Sequence, residues 1–127
     1  MKVYTRRGDD GTTGLLYGGR VAKDSPAPTA YGSVDEAQAF IGLARAHAEP
    51  GGELDTLLIA VEHDLWVLMA ELATNPERRR RGKPGQSLVT AEMVTKLEER
   101  IDEVMSRFDP PTDFVVPGAN PVCAALD

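Results

Sequence analysis

The feature that most constrains this chain is a single apolar stripe. Leu54, Leu58, Val61, Leu65, Leu68 and Leu72 recur at every third or fourth position, and Leu57 and Met69 widen the line. That spacing is the 3.6-residue period of an α-helix and not the two-residue period of a strand. A stripe of this width has to be buried against further helices, so the segment predicts a helix inside a multi-helix architecture. It is expected to end near Thr74-Asn75-Pro76, because proline disfavours a helical residue before it.

The flanking segments supply the other helices. Tyr31, Val34, Ala37, Ile41, Ala44 and Ala48 repeat at helical spacing from about Ser25 or Thr29, until Pro50-Gly51-Gly52 stops them. A third helix starts after Thr90 as N-cap, presents Met93, Leu97, Ile101, Val104 and Phe108 on one face, and stops at Asp109-Pro110-Pro111. Asn120-Pro121 reads as an N-cap followed by proline at the first helical position, so Val122 to Asp127 begin a fourth helix. Residues 1–30 read as loop, broken by Gly8, Gly11, Gly14, Gly18, Gly19, Pro26 and Pro28, with at most a short extended piece at Val3-Tyr4-Thr5. Residues 76–89 read as a polar loop, and Phe114 to Ala119 as a short apolar extended segment.

These elements make one all-α domain, an up-and-down helical bundle over residues 1–127. The fourth helix is about 10 Å long beside partners of about 30 Å, at 1.5 Å per residue. Much of the bundle's apolar seam would stay uncovered. The expectation is therefore a bundle incomplete at its C-terminus, with the natural protein continuing beyond Asp127 or an oligomeric partner covering the seam.

A formal net charge of −6 disfavours non-specific nucleic-acid binding. No apolar run approaches the ~20 residues that span a bilayer. Met1-Lys2-Val3-Tyr4 leads straight into a Gly/Thr-rich stretch with no signal-peptide core. The lone Cys123 has no disulfide partner, which makes a reducing, cytoplasmic setting the default.

Chemistry concentrates near the N-terminus. Thr5-Arg6-Arg7-Gly8-Asp9-Asp10-Gly11-Thr12-Thr13-Gly14 combines glycines that let backbone N–H groups approach an anion, donating hydroxyls and arginines. Lys23 adds a point charge, and Asp9 and Asp10 have the chemistry to hold Mg²⁺ alongside phosphate. It is not a Walker A loop, since Gly82-Lys83 is followed by Pro84. Composition alone favours the plainer reading, a flexible segment without a ligand.

The remaining candidates are ambiguous in the same way. Asp35-Glu36 suits a solvated carboxylate pair near a helix N-terminus as well as a carboxylate that orients an arginine or ligand. His47 and His63 lack metal-binding spacing and read as surface residues. Arg78 to Arg81 reads as a solvated loop before a phosphate patch. Phe114 reads as an aromatic capping the core, and Trp66 as a core or interface aromatic.

Taken in order, however, Tyr4-Thr5-Arg6-Arg7-Gly8-Asp9-Asp10-Gly11-Thr12-Thr13-Gly14-Leu15, Arg20-Val21-Ala22-Lys23, Ala30-Tyr31-Gly32-Ser33-Val34-Asp35-Glu36, the stretch from Asp64-Leu65 through Glu71-Leu72-Ala73-Thr74, and Phe114-Val115-Val116-Pro117-Gly118-Ala119 resemble the PduO-type ATP:cob(I)alamin adenosyltransferases. The resemblance implies a ferritin-like helical bundle with an N-terminal nucleotide-binding segment (1–24). It implies transfer of the adenosyl group of ATP to the cobalt of a corrinoid, with Mg²⁺ assisting and triphosphate released. By position, Thr5, Arg6, Arg7, Gly8, Thr13, Gly14 and Lys23 would hold the triphosphate, and Asp9 and Gly11 would shape the loop. Phe114 would lie under the corrin ring and exclude the lower axial ligand, and Asp35 would pair with an arginine of a later helix. The resemblance further implies a homotrimer with sites between subunits, a flavoprotein reductase that supplies the electron, and an adenosylcobalamin-dependent enzyme that takes the product. The family's chains continue past the position of Asp127 with an arginine-rich helix and a helix bearing an ATP-contacting asparagine. A non-catalytic ATP- or corrinoid-binding module and a plain helical interaction domain are the competing readings.

Overall fold

The computed structural model describes residues 3–127; Met1 and Lys2, where the reading of the N-terminus begins, lie outside the described residues. Helix α1 spans Pro26–Ala46, α2 spans Glu53–Leu72, α3 spans Ala91–Met105 and α4 spans Pro121–Leu126. Each begins where local chemistry allows. Pro26 supplies a pre-set φ at the start of α1. The Thr90 hydroxyl accepts from the Met93 amide at α3, and the Asn120 side chain accepts from the Cys123 amide at α4. The third helix stops at Met105, short of the Asp109-Pro110-Pro111 expected to end it.

The structure differs from the expectation in two loops. Residues 1–30 are not all irregular: β1 (Thr12–Gly14) and β2 (Arg20–Ala22) pair antiparallel, with Thr12 opposite Ala22 and Gly14 opposite Arg20. The 76–89 segment opens with a 3-10 helix over Pro76–Arg81. Strands of three residues are too short to show alternation, and a 3-10 turn has no long period to detect.

α1 packs on α2, and α4 packs on α1. Their shared centre is small: Ala44, Leu58 and Ala125 are buried, with Ile41, Leu54 and Val122 packed around them. Arg45 ties the first two helices together, donating from Nε to Asp55 (2.9 Å) and from the guanidinium to Glu62 (2.6 Å). The Gly51 amide and the Arg45 guanidinium hold the Asp55 carboxyl below its ordinary pKa. Most of the α2 stripe is therefore half-buried, not sealed, since Leu65, Leu68 and Leu72 reach only intermediate burial. α3 leaves its apolar face open, with Leu97 43%, Ile101 53% and Val104 37% exposed. Leu58→Ala is expected to cost about 3 kcal/mol, read as a lowered urea midpoint with unchanged slope, because the methyl groups of Ala44 and Ala125 are too short to fill the cavity.

Candidate functional site

The N-terminal segment is a turn series leading into the hairpin. Arg6 takes a left-handed conformation (φ 59), which lets its carbonyl accept from the Asp9 amide, and the Gly8 carbonyl accepts from the Gly11 amide. Gly11 sits at φ 79, a region open to glycine and strained for other residues. The Lys23 amide then donates to the Gly11 carbonyl (2.9 Å) and closes the hairpin onto these turns. A Cβ added to Gly8 would stand 3.0 Å from the Thr12 carbonyl oxygen and 3.2 Å from Lys23 Nζ. The amino group of Lys23 thus lies beside Gly8, and the two ends of the motif meet.

One residue that the sequence reading gave no role organises this arch. Arg20 donates from Nε to the Thr12 hydroxyl (2.9 Å), and its terminal nitrogen reaches the Thr12 carbonyl and hydroxyl and the Arg7 carbonyl. The pairing of Gly14 with Arg20 places it there, a relation visible only once the hairpin is known. Asp10 faces the same cluster. It accepts from the Thr12 amide (2.9 Å) and hydroxyl (2.8 Å), and those bonds, with Arg20 nearby, hold its carboxyl below its ordinary pKa. Asp10 is thereby engaged within the protein, although it is exposed like Asp9.

Thr5, Arg6, Arg7 and Lys23 are exposed around the arch, and Arg6 rests over the Tyr4 ring at 5.5 Å. Thr13 and Gly14 lie on β1, with Thr13 half-buried. The other two candidates stand elsewhere. Asp35 is exposed on α1, and among the described residues it forms no ion pair. Phe114 lies in the segment joining α3 to α4 and is 86% exposed, which excludes a role in capping this chain's core. Trp66 is 65% exposed, so it too faces outward, and His47 and His63 are on the surface as expected.

The arginine run is more than a solvated loop. Arg78 donates to the Tyr17 carbonyl (2.7 Å), Arg81 lies over the Tyr17 ring, and Arg79 pairs with Glu71. The Val89 amide and then the Arg79 guanidinium hold the Glu71 carboxyl below its ordinary value of 4.5. A group whose folded pKa is depressed stabilises the fold above its unfolded pKa and stops doing so as pH falls through the folded value. The urea midpoint is therefore expected to fall below about pH 4.5. Glu71→Gln, which can still accept from Val89, should flatten that acid limb when midpoints are compared from about pH 3 to 6.

Similarity to known proteins converges on one group. The family model described as cobalamin adenosyltransferase matches residues 3–127. The corrinoid adenosyltransferase of Bacillus subtilis is 40% identical over 129 residues, covering 99% of this chain and 63% of that protein. The corrinoid adenosyltransferase PduO of Salmonella typhimurium is 39% identical over 118 residues, covering 93% of this chain and 34% of that protein. Among solved structures, a variant PduO-type ATP:corrinoid adenosyltransferase from Lactobacillus reuteri, complexed with cobalamin and ATP, superposes with a TM-score of 0.82 at 25% identity. That match covers 98% of this chain and 67% of the other. The chain thus spans between about a third and two-thirds of the length of these relatives.

Proposed function

The chain belongs to the cobalamin adenosyltransferase family, and on that premise we propose that it transfers the 5′-deoxyadenosyl group of ATP to the cobalt of cob(I)alamin. The cobalt electron pair attacks the ribose C5′, the C5′–O bond breaks, and its electrons leave with triphosphate. Cob(I)alamin is itself the nucleophile, so the protein has no need of a Ser-His or Cys-His pair. Its tasks are to place C5′ over cobalt and to stabilise the charge gathering on the leaving group.

The observation that carries this reading is the closure of residues 5–23 into one arch, with Lys23 Nζ brought beside Gly8. In that reading Thr5, Arg6, Arg7, Gly8, Thr13, Gly14 and Lys23 hold the triphosphate, and Gly11 shapes the loop. Asp9 does so as well, and because Asp10 is engaged by Thr12, Asp9 is the better placed of the pair to meet Mg²⁺ brought in by the nucleotide. Asp10 serves the arch through Thr12 instead. Phe114 meets the lower face of the corrin, and Asp35 pairs with an arginine. Phe114 is 86% exposed and Asp35 has no ion-pair partner among the described residues, which favours sites completed between subunits of a homotrimer. A flavoprotein reductase and an adenosylcobalamin-dependent enzyme complete the set of partners. No described helix is long and apolar enough to cross a membrane, and we place the activity in the cytoplasm.

The deciding experiment is anaerobic incubation of the protein as encoded with cob(I)alamin and MgATP, followed by absorbance. Formation of adenosylcobalamin with one triphosphate per turnover supports the enzyme. Binding of MgATP or cobalamin without transfer would overturn it in favour of a binding module.

A further inference from the structure

The Arg78–Arg81 run and Tyr17 have no place in the chemistry above, yet they make the most specific long-range contacts in the described chain. The hairpin they touch has strands of three residues, and a two-stranded ribbon of that length is not stable by itself in water. Its turn needs an external anchor. The Leu16 amide donates to the Ala73 carbonyl (2.8 Å), and the Leu16 carbonyl accepts from the Asn75 amide (3.2 Å). The Asn75 side chain donates to the Gly18 carbonyl (2.9 Å).

Tyr17 adds three further contacts. Its carbonyl accepts from Arg78, its hydroxyl is 3.0 Å from Ser87 Oγ, and its ring lies 5.4 Å from the Arg81 guanidinium. Ser87 is buried and also accepts from the Lys83 amide, so the tyrosine is tied to a fixed point. Tyr17 does this at φ 66, an unfavourable conformation for a bulky residue that persists only where surrounding contacts determine it. The partner side is fixed in turn, since Glu71 binds both Arg79 and the Val89 amide. The next two positions admit little but glycine. Gly18 and Gly19 have φ 97 and 91, and added Cβ atoms would stand 3.1 Å from Arg78 and 2.8 Å from Asn75.

We infer that Asn75, Arg78 and Arg81 are positioning residues: they latch the Leu15–Gly19 turn to the end of α2 and so set where the arch at the hairpin's other end holds its anion. This rests on the proposed nucleotide role of the arch. The latch lies at the turn, whereas Gly8 and Lys23 lie at the open end, so its effect is transmitted through the strands.

The test compares Arg78→Ala, Arg78→Lys and Tyr17→Phe with the unaltered protein, reading MgATP affinity, transfer kinetics and amide exchange over residues 12–23. Arg78→Ala should weaken MgATP binding about tenfold, the scale of one charge-assisted hydrogen bond. It should raise KM for ATP more than it lowers kcat, and speed exchange in the hairpin. Arg78→Lys, with one donor left for the Tyr17 carbonyl, should recover most of both. Tyr17→Phe should give a smaller loss of the same kind, and it answers the question if Arg78→Ala does not fold. Faster exchange with unchanged MgATP affinity overturns the latch while leaving the function intact. Lost affinity with unchanged exchange overturns it as well, since Arg78 would then touch the nucleotide itself. If the unaltered protein binds no MgATP, the functional reading fails and the latch with it.

Discussion

Phe114→Ala is expected to slow adenosylcobalamin formation by about a hundredfold, roughly 2.7 kcal/mol in activation free energy, while leaving MgATP affinity unchanged. The ring is 86% exposed and its neighbours Val115 and Val116 are 58% and 73% exposed. Removing it therefore takes nothing from the core around Leu58, and the stability change should stay within about 0.5 kcal/mol. What is lost is an apolar surface able to exclude a ligand from the lower face of cobalt. A cobalt that keeps that ligand is harder to reduce, because the accepting orbital lies higher in energy. The effect should appear in the reduction of bound Co(II) and in its spectrum, not in nucleotide binding. An unchanged rate, with the fold intact by circular dichroism, would show that the ring does not control axial ligation.

Lys23→Ala should weaken MgATP binding by about 10–150-fold, the equivalent of roughly 1.5–3 kcal/mol for a lost charge-assisted contact. Lys23 is exposed, and its amide role in closing the hairpin belongs to the backbone, so alanine keeps the arch. Arg6→Ala should cost less than Lys23→Ala. In the free chain Arg6 already rests on the Tyr4 ring, and leaving that ring offsets about 0.5–1 kcal/mol of whatever it gains at a phosphate. Titration at two salt concentrations checks the ranking, since lost charge contacts also flatten the salt dependence. Equal affinities in all three proteins would remove residues 5–23 from the nucleotide site.

The helices were legible because their signals are local. The 3.6-residue spacing of the α2 stripe, Pro26, the Thr90 and Asn120 caps and the Pro76 stop each act within a few residues of where they stand. The composition of the N-terminal segment left a flexible loop and an anion-binding loop both open, and only the order of its residues pointed to the family that matches residues 3–127. The hairpin, the role of Arg20 and the engagement of Asp10 were not legible, because each depends on which residue lies opposite which across a turn. The arginine run shows the difference most sharply. As sequence it is four like charges in a polar loop. In the fold it grips a tyrosine some sixty positions earlier, Arg78 to Tyr17 being 61 residues apart.

By itself, then, the sequence determined the helical class, the family and where each helix begins, all set by short-range periodicity, capping and residue order. Only the tertiary structure decided that burial centres on Ala44, Leu58 and Ala125, that Phe114 faces outward, and that the arch is anchored through Tyr17. Those outcomes depend on contacts between distant segments, whose energies exist only once the chain has closed the loops between them.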